Sequence, residues 1–390
     1  MTYFYRMDDN FEMLAKCFYG FEPVLALELR NLGAQEVKEG VRSVSFKGDK
    51  GFMYKANLAL RTATRVLVPV FSFTVRKEKD LYDTLLTHNW EAYMGPDSTF
   101  AVHATVHASV FNHSHYVALK TKDAIADHFR NAYKRRPNVD LRHPDLAIQV
   151  HLQGERCTVL LDSSGESLHK RGYRTDTNIA PINEVLAAGL VLLTGYNGSR
   201  HFLDPMCGSG TILIEAAMIA CNIPPGLNRP EFGFEKWKDF DASLFKLIHD
   251  SLLKRVRNAT HRIIGFDKAP SAIRKAEENV KNASLEDFIQ LERKNFFKEG
   301  KPVEGDCLLL FNPPYGERLP VDVATFYKQI GDTLKRHYQE TTAWLITSDF
   351  DTGLKSVGLR TSRKIKLFNG NLECRFAKYE MYEGSKKNKE

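Results

Sequence analysis

The spacing of apolar residues changes character midway along the chain. Up to about residue 168 they fall in short runs that alternate with polar positions, separated by stretches of helical period. Beyond residue 200 the runs are continuous, as expected of strands covered on both faces, and they alternate with further helical stretches. Residues 10 to 75 read as strand (Phe11 to Tyr19), helix (Glu22 to Leu32), strand (Glu36 to Val41), strand (Ser43 to Lys47), helix (Met53 to Thr62) and strand (Arg65 to Thr74). Residues 76 to 168 add a helix (Asp80 to Asn89), an alternating strand (Thr99 to Phe111) and a longer helix (Ala118 to Arg135). A strand pair around Gly154 follows (Leu146 to Leu152, Cys157 to Asp162).

The first six elements follow the β-α-β-β-α-β order of a ferredoxin-like plan. After a basic joint, Ser167 to Asp176 (SLHKRGYRTD), comes an apolar helix from Pro181 to Tyr196 with proline near its first turn. Strand 201 to 205, helix 211 to 220, strand 262 to 266, helix 270 to 283, strands 288 to 293 and 306 to 311, helix 323 to 338 and strand 342 to 347 then form a βα alternation. An insertion, Asn222 to Asn258, begins with Pro224-Pro225 and carries Trp237 and Phe240. At the end, Arg363 to Phe368 and Leu372 to Tyr379 flank Asn369-Gly370, a strong hairpin signal. The expected organisation is an α+β ferredoxin-like domain over 1–75, a second α+β domain over 76–168 and an α/β domain over 169–385.

Three strand ends in the last domain carry chemistry. Phe202 to Ala217 (FLDPMCGSGTILIEAA) ends a strand on Asp204, frees a turn with Gly208 and Gly210, and opens a helix. It is not the dinucleotide fingerprint, because the third glycine position holds Leu213. The strand IIGFD ends on Asp267, an acid able to bind a ribose diol, and Cys307 to Leu310 leads into Phe311-Asn312-Pro313-Pro314-Tyr315. Taken singly, Asp204 and Asp267 fit helix caps equally well. Their position at successive strand ends favours a cofactor loop.

NPPY closing such a strand resembles the motif of S-adenosylmethionine-dependent enzymes that methylate exocyclic amines of nucleic-acid bases. Nearly the whole chain is similar to the THUMP-domain RNA guanine-N2 methyltransferases, in particular those of large-subunit ribosomal RNA. The resemblance implies a class I Rossmann-like methyltransferase domain with a terminal antiparallel hairpin, preceded by ferredoxin-like and THUMP domains. It implies S-adenosylmethionine as cofactor, bound by Asp204, Met206, Cys207, Gly208, Ser209 and Gly210 at its methionine end. Asp267 would take both ribose hydroxyls, Lys268 is a further cofactor-binding candidate, and Asn295 with Phe296 would hold and stack the adenine. Asn295 stands where an acid is commoner. Asn312 and Pro313 would accept the two N–H groups of the target amine, and Tyr315 would stack on the flipped base. Pro181, Asn183 and Glu184 lie on a helix that covers the pocket in that family. Glu317 and Glu373 are candidates for an acceptor facing the N1–H of guanine.

A net charge of +7 permits RNA binding without demonstrating it. Candidate RNA contacts are Lys134, Arg135 and Arg136, which also suit a helix C-terminus, and Lys170 and Arg171 in the joint. His103, His107, His113 and His115 share strand parity, but no helix-spaced or thiolate partner accompanies them, so no metal site is expected. Six scattered cysteines without CxxC spacing indicate neither disulfides nor zinc. No run of about 18 apolar residues appears, and the first residues lack a basic n-region and an apolar h-region. The expectation is a cytoplasmic monomer or weak dimer, with no membrane partner, acting on ribosomal RNA or tRNA. Rival readings are a tRNA guanine-N2 methyltransferase, an adenine-N6 methyltransferase of DNA or RNA, and an RNA-binding protein with an inactive methyltransferase fold.

Overall fold

The computed structural model describes residues 10–174, 182–314 and 322–382. Pro181, Tyr315, Glu317 and the last two residues of the basic joint lie outside them. The chain forms two compact units, one of residues up to Cys17, 25–168 and 229–250, the other of 18–24, 169–228 and 251–390.

The first unit is built on β1 (Phe11–Cys17), β2 (Gln35–Gly40), β3 (Ser43–Gly48), β4 (Ala63–Thr74), β5 (Thr99–His107), β6 (Asn138–Val139), β7 (Leu146–Gln153) and β8 (Arg156–Asp162). They make a single sheet in the order β2-β3-β1-β4-β8-β7-β5-β6. The antiparallel pairing of β4 with β8, from Leu67 opposite Asp162 to Thr74 opposite Arg156, joins the ferredoxin-like elements to those that follow. The helices are α1 (Glu22–Leu32), α2 (Lys50–Ala59), α3 (Glu78–Thr87) and α4 (Ser114–Tyr133). Trp90, Phe100, Phe129, Ile148 and Leu161 are buried in the core under α3 and α4.

Two boundaries differ from the sequence pattern for identifiable reasons. Helix α2 starts three residues earlier than the apolar period suggests, because Asp49 caps it, its carboxylate accepting the Phe52 N–H at 2.6 Å. Strand β5 ends at His107, where Ala108 takes a left-handed backbone (φ 47°), and His113 and His115 fall at the start of α4. The four histidines therefore share no strand face. Among the described residues no group of three or more His, Cys, Asp or Glu side chains is arranged to hold a metal ion.

Part of the insertion belongs to this first unit. Phe234, Phe240 and Phe245 surround Tyr54 of α2, with ring centroids 4.5, 5.9 and 5.7 Å away. Arg229 donates to the carbonyls of Ser164, Glu166 and Ser167, and Lys238 to those of Glu91 and Met94. Gly233 is required here: a Cβ on it would lie 2.7 Å from the Gly165 nitrogen.

In the second unit, β9 (His201–Asp204), β10 (Ile263–Asp267), β11 (Ile289–Arg293), β12 (Cys307–Phe311), β13 (Thr341–Thr347), β14 (Arg363–Asn369) and β15 (Leu372–Glu380) form one sheet in the order β11-β10-β9-β12-β13-β15-β14. The strands from β11 to β13 run parallel, whereas β15 is antiparallel to both β13 and β14. Helices α5 (Glu184–Leu193), α6 (Thr211–Ala220), α7 (Ala242–Leu253, shared with the first unit), α8 (Pro270–Asn282), α9 (Val323–His337) and the short α10 (Gly353–Ser356) complete the fold. Strand order reverses between β9 and β12, which opens a crevice at their carboxyl ends. Among the described residues no helix is long and apolar enough to cross a membrane.

Leu213, which departs from the dinucleotide pattern, is accommodated by a glycine on the facing strand. A Cβ on Gly265 of β10 would lie 2.3 Å from Leu213 Cδ1 and 2.9 Å from Leu291 Cδ2. Gly265→Ala should therefore overpack the α6–sheet interface and destabilise the unit by about 1–3 kcal/mol. Adding Leu213→Ala should recover part of that loss. Thermal unfolding of both variants checks this, and a single variant as stable as wild type would contradict the packing argument.

Candidate active site

The segment Pro205–Gly210 leaves β9 as a tight turn pinned from three sides. The Cys207 N–H donates to the Phe266 carbonyl of β10 at 2.8 Å, and the Gly210 N–H to the Cys207 carbonyl at 2.8 Å. From α8, Asn279 Nδ2 donates to the Ser209 carbonyl at 2.9 Å. Gly208 and Gly210 both have positive φ, at 55° and 79°, which favours glycine at each. Around Gly208 the space where a Cβ would stand is open, whereas at Gly210 it would approach Ala276 to 3.2 Å. One glycine leaves room for a ligand; the other admits α8.

Beside the turn lies a cavity of about 280 Å³ at the carboxyl ends of the strands. Of the residues predicted for the cofactor and the amine, Met206, Gly208, Asp267, Lys268, Asn295, Phe296, Asn312 and Pro313 line it. Asp204, Cys207, Ser209 and Gly210 do not. Asp204 is 1% exposed and accepts the Met206 N–H at 3.1 Å. Burial, with the negative charge of Asp267 adding to it, pushes its carboxyl well above the usual value near 3.8, against the pull of the Met206 N–H. The Cys207 thiol is likewise pushed up by burial.

Asp267 bridges two elements: one oxygen accepts the Gly208 N–H at 3.1 Å and the other the Ala269 N–H at 2.9 Å. The helix-cap alternative is not what forms, since α8 is capped at Ala269 and α6 at Gly210, neither with a side-chain cap bond; the Asp267 side chain lines the cavity. Asn295 Oδ1 accepts the Phe297 N–H at 3.1 Å. Asn312 stands at the end of β12 with Oδ1 buried and without a hydrogen-bond partner among the described residues. A buried acceptor left unsatisfied is costly and marks a place where a donor is expected.

Several sequence expectations gain detail, and one is corrected. The Phe296 ring lines the cavity while being 2% exposed and packed against Phe311 and Tyr338 at 5.7 and 5.3 Å, and Phe297 beside it is a second ring at the cavity, partly exposed. Arg171, predicted as an RNA contact, is 2% exposed and paired with the buried Glu215 at 3.5 Å. A side chain so enclosed does not reach RNA. The partly exposed Glu373 carboxylate pairs with Lys366 and Arg375. Asn183 spends its side chain capping α5, accepting the Val185 and Leu186 N–H groups, and the buried Glu184 pairs with Arg174 at 3.1 Å. Lys134, Arg135, Arg136 and Lys170 are exposed, Arg135 paired with Asp97.

Pro314 of the NPPY motif lines the cavity too, and so do Pro205, Lys294, Phe297 and Phe326, which were not anticipated. Lys294, which lies over the Phe266 ring and pairs with Glu292, had a signal in its place one residue past the β11 strand end. Phe326, on α9, had none beyond an apolar helix period.

Comparison with known proteins agrees with this geometry. The RMKL-like methyltransferase domain matches residues 171–378, the THUMP domain 75–162, and the RlmL ferredoxin-like domain 12–67. A provisionally named RNA methyltransferase of Synechocystis sp., slr0064, is 37% identical over 366 residues, 93% of this chain and 95% of that protein. The ribosomal RNA large subunit methyltransferase K/L of Syntrophotalea carbinolica is 38% identical over 97% of this chain and 54% of its own length. The chain thus spans about half the length of the K/L relatives it matches. The crystal structure of SMU.472, a provisionally named methyltransferase complexed with SAH, superposes with a TM-score of 0.86 at 31% identity, covering 97% of this chain and 100% of that one.

Proposed function

The chain belongs to the RMKL-like methyltransferase family, with ferredoxin-like and THUMP domains ahead of the methyltransferase domain, and on that premise we propose that it methylates the exocyclic N2 amine of a guanine in 23S ribosomal RNA with S-adenosylmethionine as donor. The observation that carries this reading is the unsatisfied Asn312 Oδ1 at the end of β12, in the wall of the cavity that Asp267 shares. The residues present fit the cofactor: an open approach to the Gly208 backbone, a carboxylate beside it, the partly exposed Phe297 ring, and a buried carboxylate beneath the turn. When bound, S-adenosylmethionine supplies an electrophilic sulfonium methyl.

Asp267 accepts the ribose hydroxyls while its bond to the Gly208 N–H keeps the turn in register. Asn295 and Phe296, with the partly exposed Phe297 ring beside them, hold the adenine. Asp204, under the turn, attracts the ammonium of the methionine end. An exocyclic amine is a poor nucleophile because its lone pair is conjugated into the ring. Asn312 Oδ1 and the Pro313 carbonyl each accept one of its N–H groups, which favours a tetrahedral nitrogen with its lone pair aimed away from the ring plane. Pro313 and Pro314 restrict φ and hold that carbonyl's direction. Once nitrogen carries the methyl group, its extra proton leaves to water without a dedicated base. With ribosomal RNA as substrate, the enzyme works in the cytoplasm.

The direct test incubates the protein with unmodified 23S ribosomal RNA and methyl-labelled cofactor, then separates the nucleosides. Label in N2-methylguanosine is expected. Label in N6-methyladenosine overturns the base assignment, and label only when tRNA is supplied overturns the ribosomal one. Asp267→Ala should weaken S-adenosylhomocysteine binding by about 1.5–2 kcal/mol, the scale of a charge-assisted contact, with the fold intact. Calorimetry reads it, and an unchanged dissociation constant would remove Asp267 from the site.

A further inference from the structure

The strand order of the second unit, β11-β10-β9-β12-β13-β15-β14, divides the site at β12. Gly208, Asp267 and Asn295, which serve the cofactor, stand past the carboxyl ends of β9, β10 and β11, all on one side of it. The base whose amine meets Asn312 at the end of β12 must therefore lie over the other side, where β13 ends and β15 begins. Phe311 of β12 pairs with Leu345 of β13, and Thr347 of β13 with Arg375 of β15. Arg375 thus stands two strands from the Asn312-Pro313 turn and level with it. Adjacent strands lie about 4.8 Å apart, a spacing on the scale of a purine's width. Helix α9 joins the two places: Phe326 lines the cavity, and the hydroxyl of the next residue, Tyr327, bonds to that of Thr347.

The Arg375 side chain is held in place rather than left as loose surface charge. Its guanidinium lies over the ring of Phe350, 4.4 Å from the centroid, and Phe350, three residues past β13, is packed against the core. Nη1 donates to Glu373 Oε1 at 2.6 Å and to the Cys374 carbonyl at 3.3 Å. Lys366 of β14 pairs with the second oxygen of Glu373 at 2.5 Å. Lys366 and then Arg375 keep the Glu373 carboxyl below its usual range, so it remains an anion that anchors the arginine. The Nε and Nη2 groups of Arg375 make no hydrogen bond among the described residues, and the side chain is 27% exposed. A ring beneath and a carboxylate at one corner fix the plane of the guanidinium and leave its open edge as two parallel donors.

Two parallel donors match two adjacent acceptors. Guanine carries such a pair in O6 and N7, on the side of the base away from N2, whereas adenine held by its own amine has no O6 to present. We propose that Arg375 reads the O6 and N7 edge of the guanine whose N2 amine Asn312 and Pro313 receive, which makes it a specificity-determining residue of the reaction. The proposal rests on the guanine-N2 reading and deepens it. Phe350 is the platform on which the arginine lies, and Glu373 serves the base indirectly, by orienting the arginine. A phosphate would also fit a guanidinium edge, but the carboxylate bonded to Arg375 offsets its charge and favours an uncharged partner.

The test pairs a change in the protein with a change of one atom in the base. Unmodified 23S ribosomal RNA is transcribed with guanosine or with 7-deazaguanosine, which lacks the N7 acceptor, and kcat/KM for methyl transfer is measured for wild type, Arg375→Ala and Arg375→Lys. Wild type should lose on the order of tenfold on the deaza RNA. Both variants should lose on the order of tenfold or more on the guanosine RNA and be nearly indifferent to the deaza change, since the contact it removes is already gone. The lysine variant keeps the charge beside Glu373 but not the paired donors, so its loss separates base reading from charge. Affinity for S-adenosylhomocysteine should match wild type in both variants, because the cofactor lies on the other side of β12. Losses that multiply independently, a wild type indifferent to N7, or a lysine variant at wild-type rate each overturn the proposal while the guanine reading stands. Label in N6-methyladenosine sinks the guanine reading and this proposal with it. Label only in tRNA sinks the ribosomal assignment alone, and the same cycle on tRNA transcripts then decides the role of Arg375.

Discussion

Asn312→Ala should lower the turnover of methyl transfer by on the order of a hundredfold or more while leaving S-adenosylhomocysteine affinity near wild type. The Asn312 side-chain oxygen is buried and bonds to no described group, so removing it costs the folded protein no internal hydrogen bond. The melting temperature should accordingly stay level or rise slightly, since an unsatisfied buried acceptor is a liability. That combination separates an aligning residue from a structural one. A residue that merely shaped the turn after β12 would lose stability and activity together. Single-turnover transfer to the native RNA provides the measurement, and a folded variant acting at near wild-type rate would refute the role given to the end of β12.

The elements of the site were legible because each strand end carries its own local signal. IIGFD and CLLLF are short apolar runs of the kind found in strands covered on both faces, and each hands over directly to a polar residue at its carboxyl end. The helix after Gly210 spans Thr211–Ala220, as its apolar period suggests. What sequence does not show is which side of a loop faces the core. Phe296 and Phe297 are adjacent and chemically identical, and only packing against Phe311 and Tyr338 decides which ring is withdrawn. Arg171 reads as part of a basic joint, yet it is drawn inward by Glu215, forty-odd residues away on an otherwise apolar helix.

The insertion shows the same limit at larger scale. Residues 229–250 follow α6 in the chain, and their aromatic residues carry no label of destination. Their partner is Tyr54, and the glycine pair at 165 and 233 allows the backbones to touch. Long-range pairings of this kind leave no period to read. A truncation that discards residues 1–165 therefore strips Phe234, Phe240 and Phe245 of the ring they surround, rather than releasing an intact domain.

The other large effect concerns Asp204, whose carboxyl is held well above its usual value chiefly by burial and further by Asp267. A folded pKa raised above the unfolded one means that the folded protein holds the proton more tightly. The resulting stability is present below the unfolded value near 3.8 and is progressively lost as pH rises from there through the raised folded value. At neutral pH the cofactor-free protein thus carries a destabilising site, and Asp204→Asn should melt higher than wild type there. Binding should respond in the opposite sense. The ammonium of the cofactor's methionine end favours the ionised carboxylate, so wild-type affinity for S-adenosylhomocysteine should increase with pH up to the raised value and then level off. Binding below that value should release a proton, seen as a dependence of calorimetric heat on the buffer's ionisation enthalpy. The asparagine variant should bind about 2–3 kcal/mol more weakly at the plateau and show neither the pH dependence nor the proton release. Matching affinities across the pH range in the two proteins would mean that Asp204 only supports the turn through its bond to the Met206 N–H.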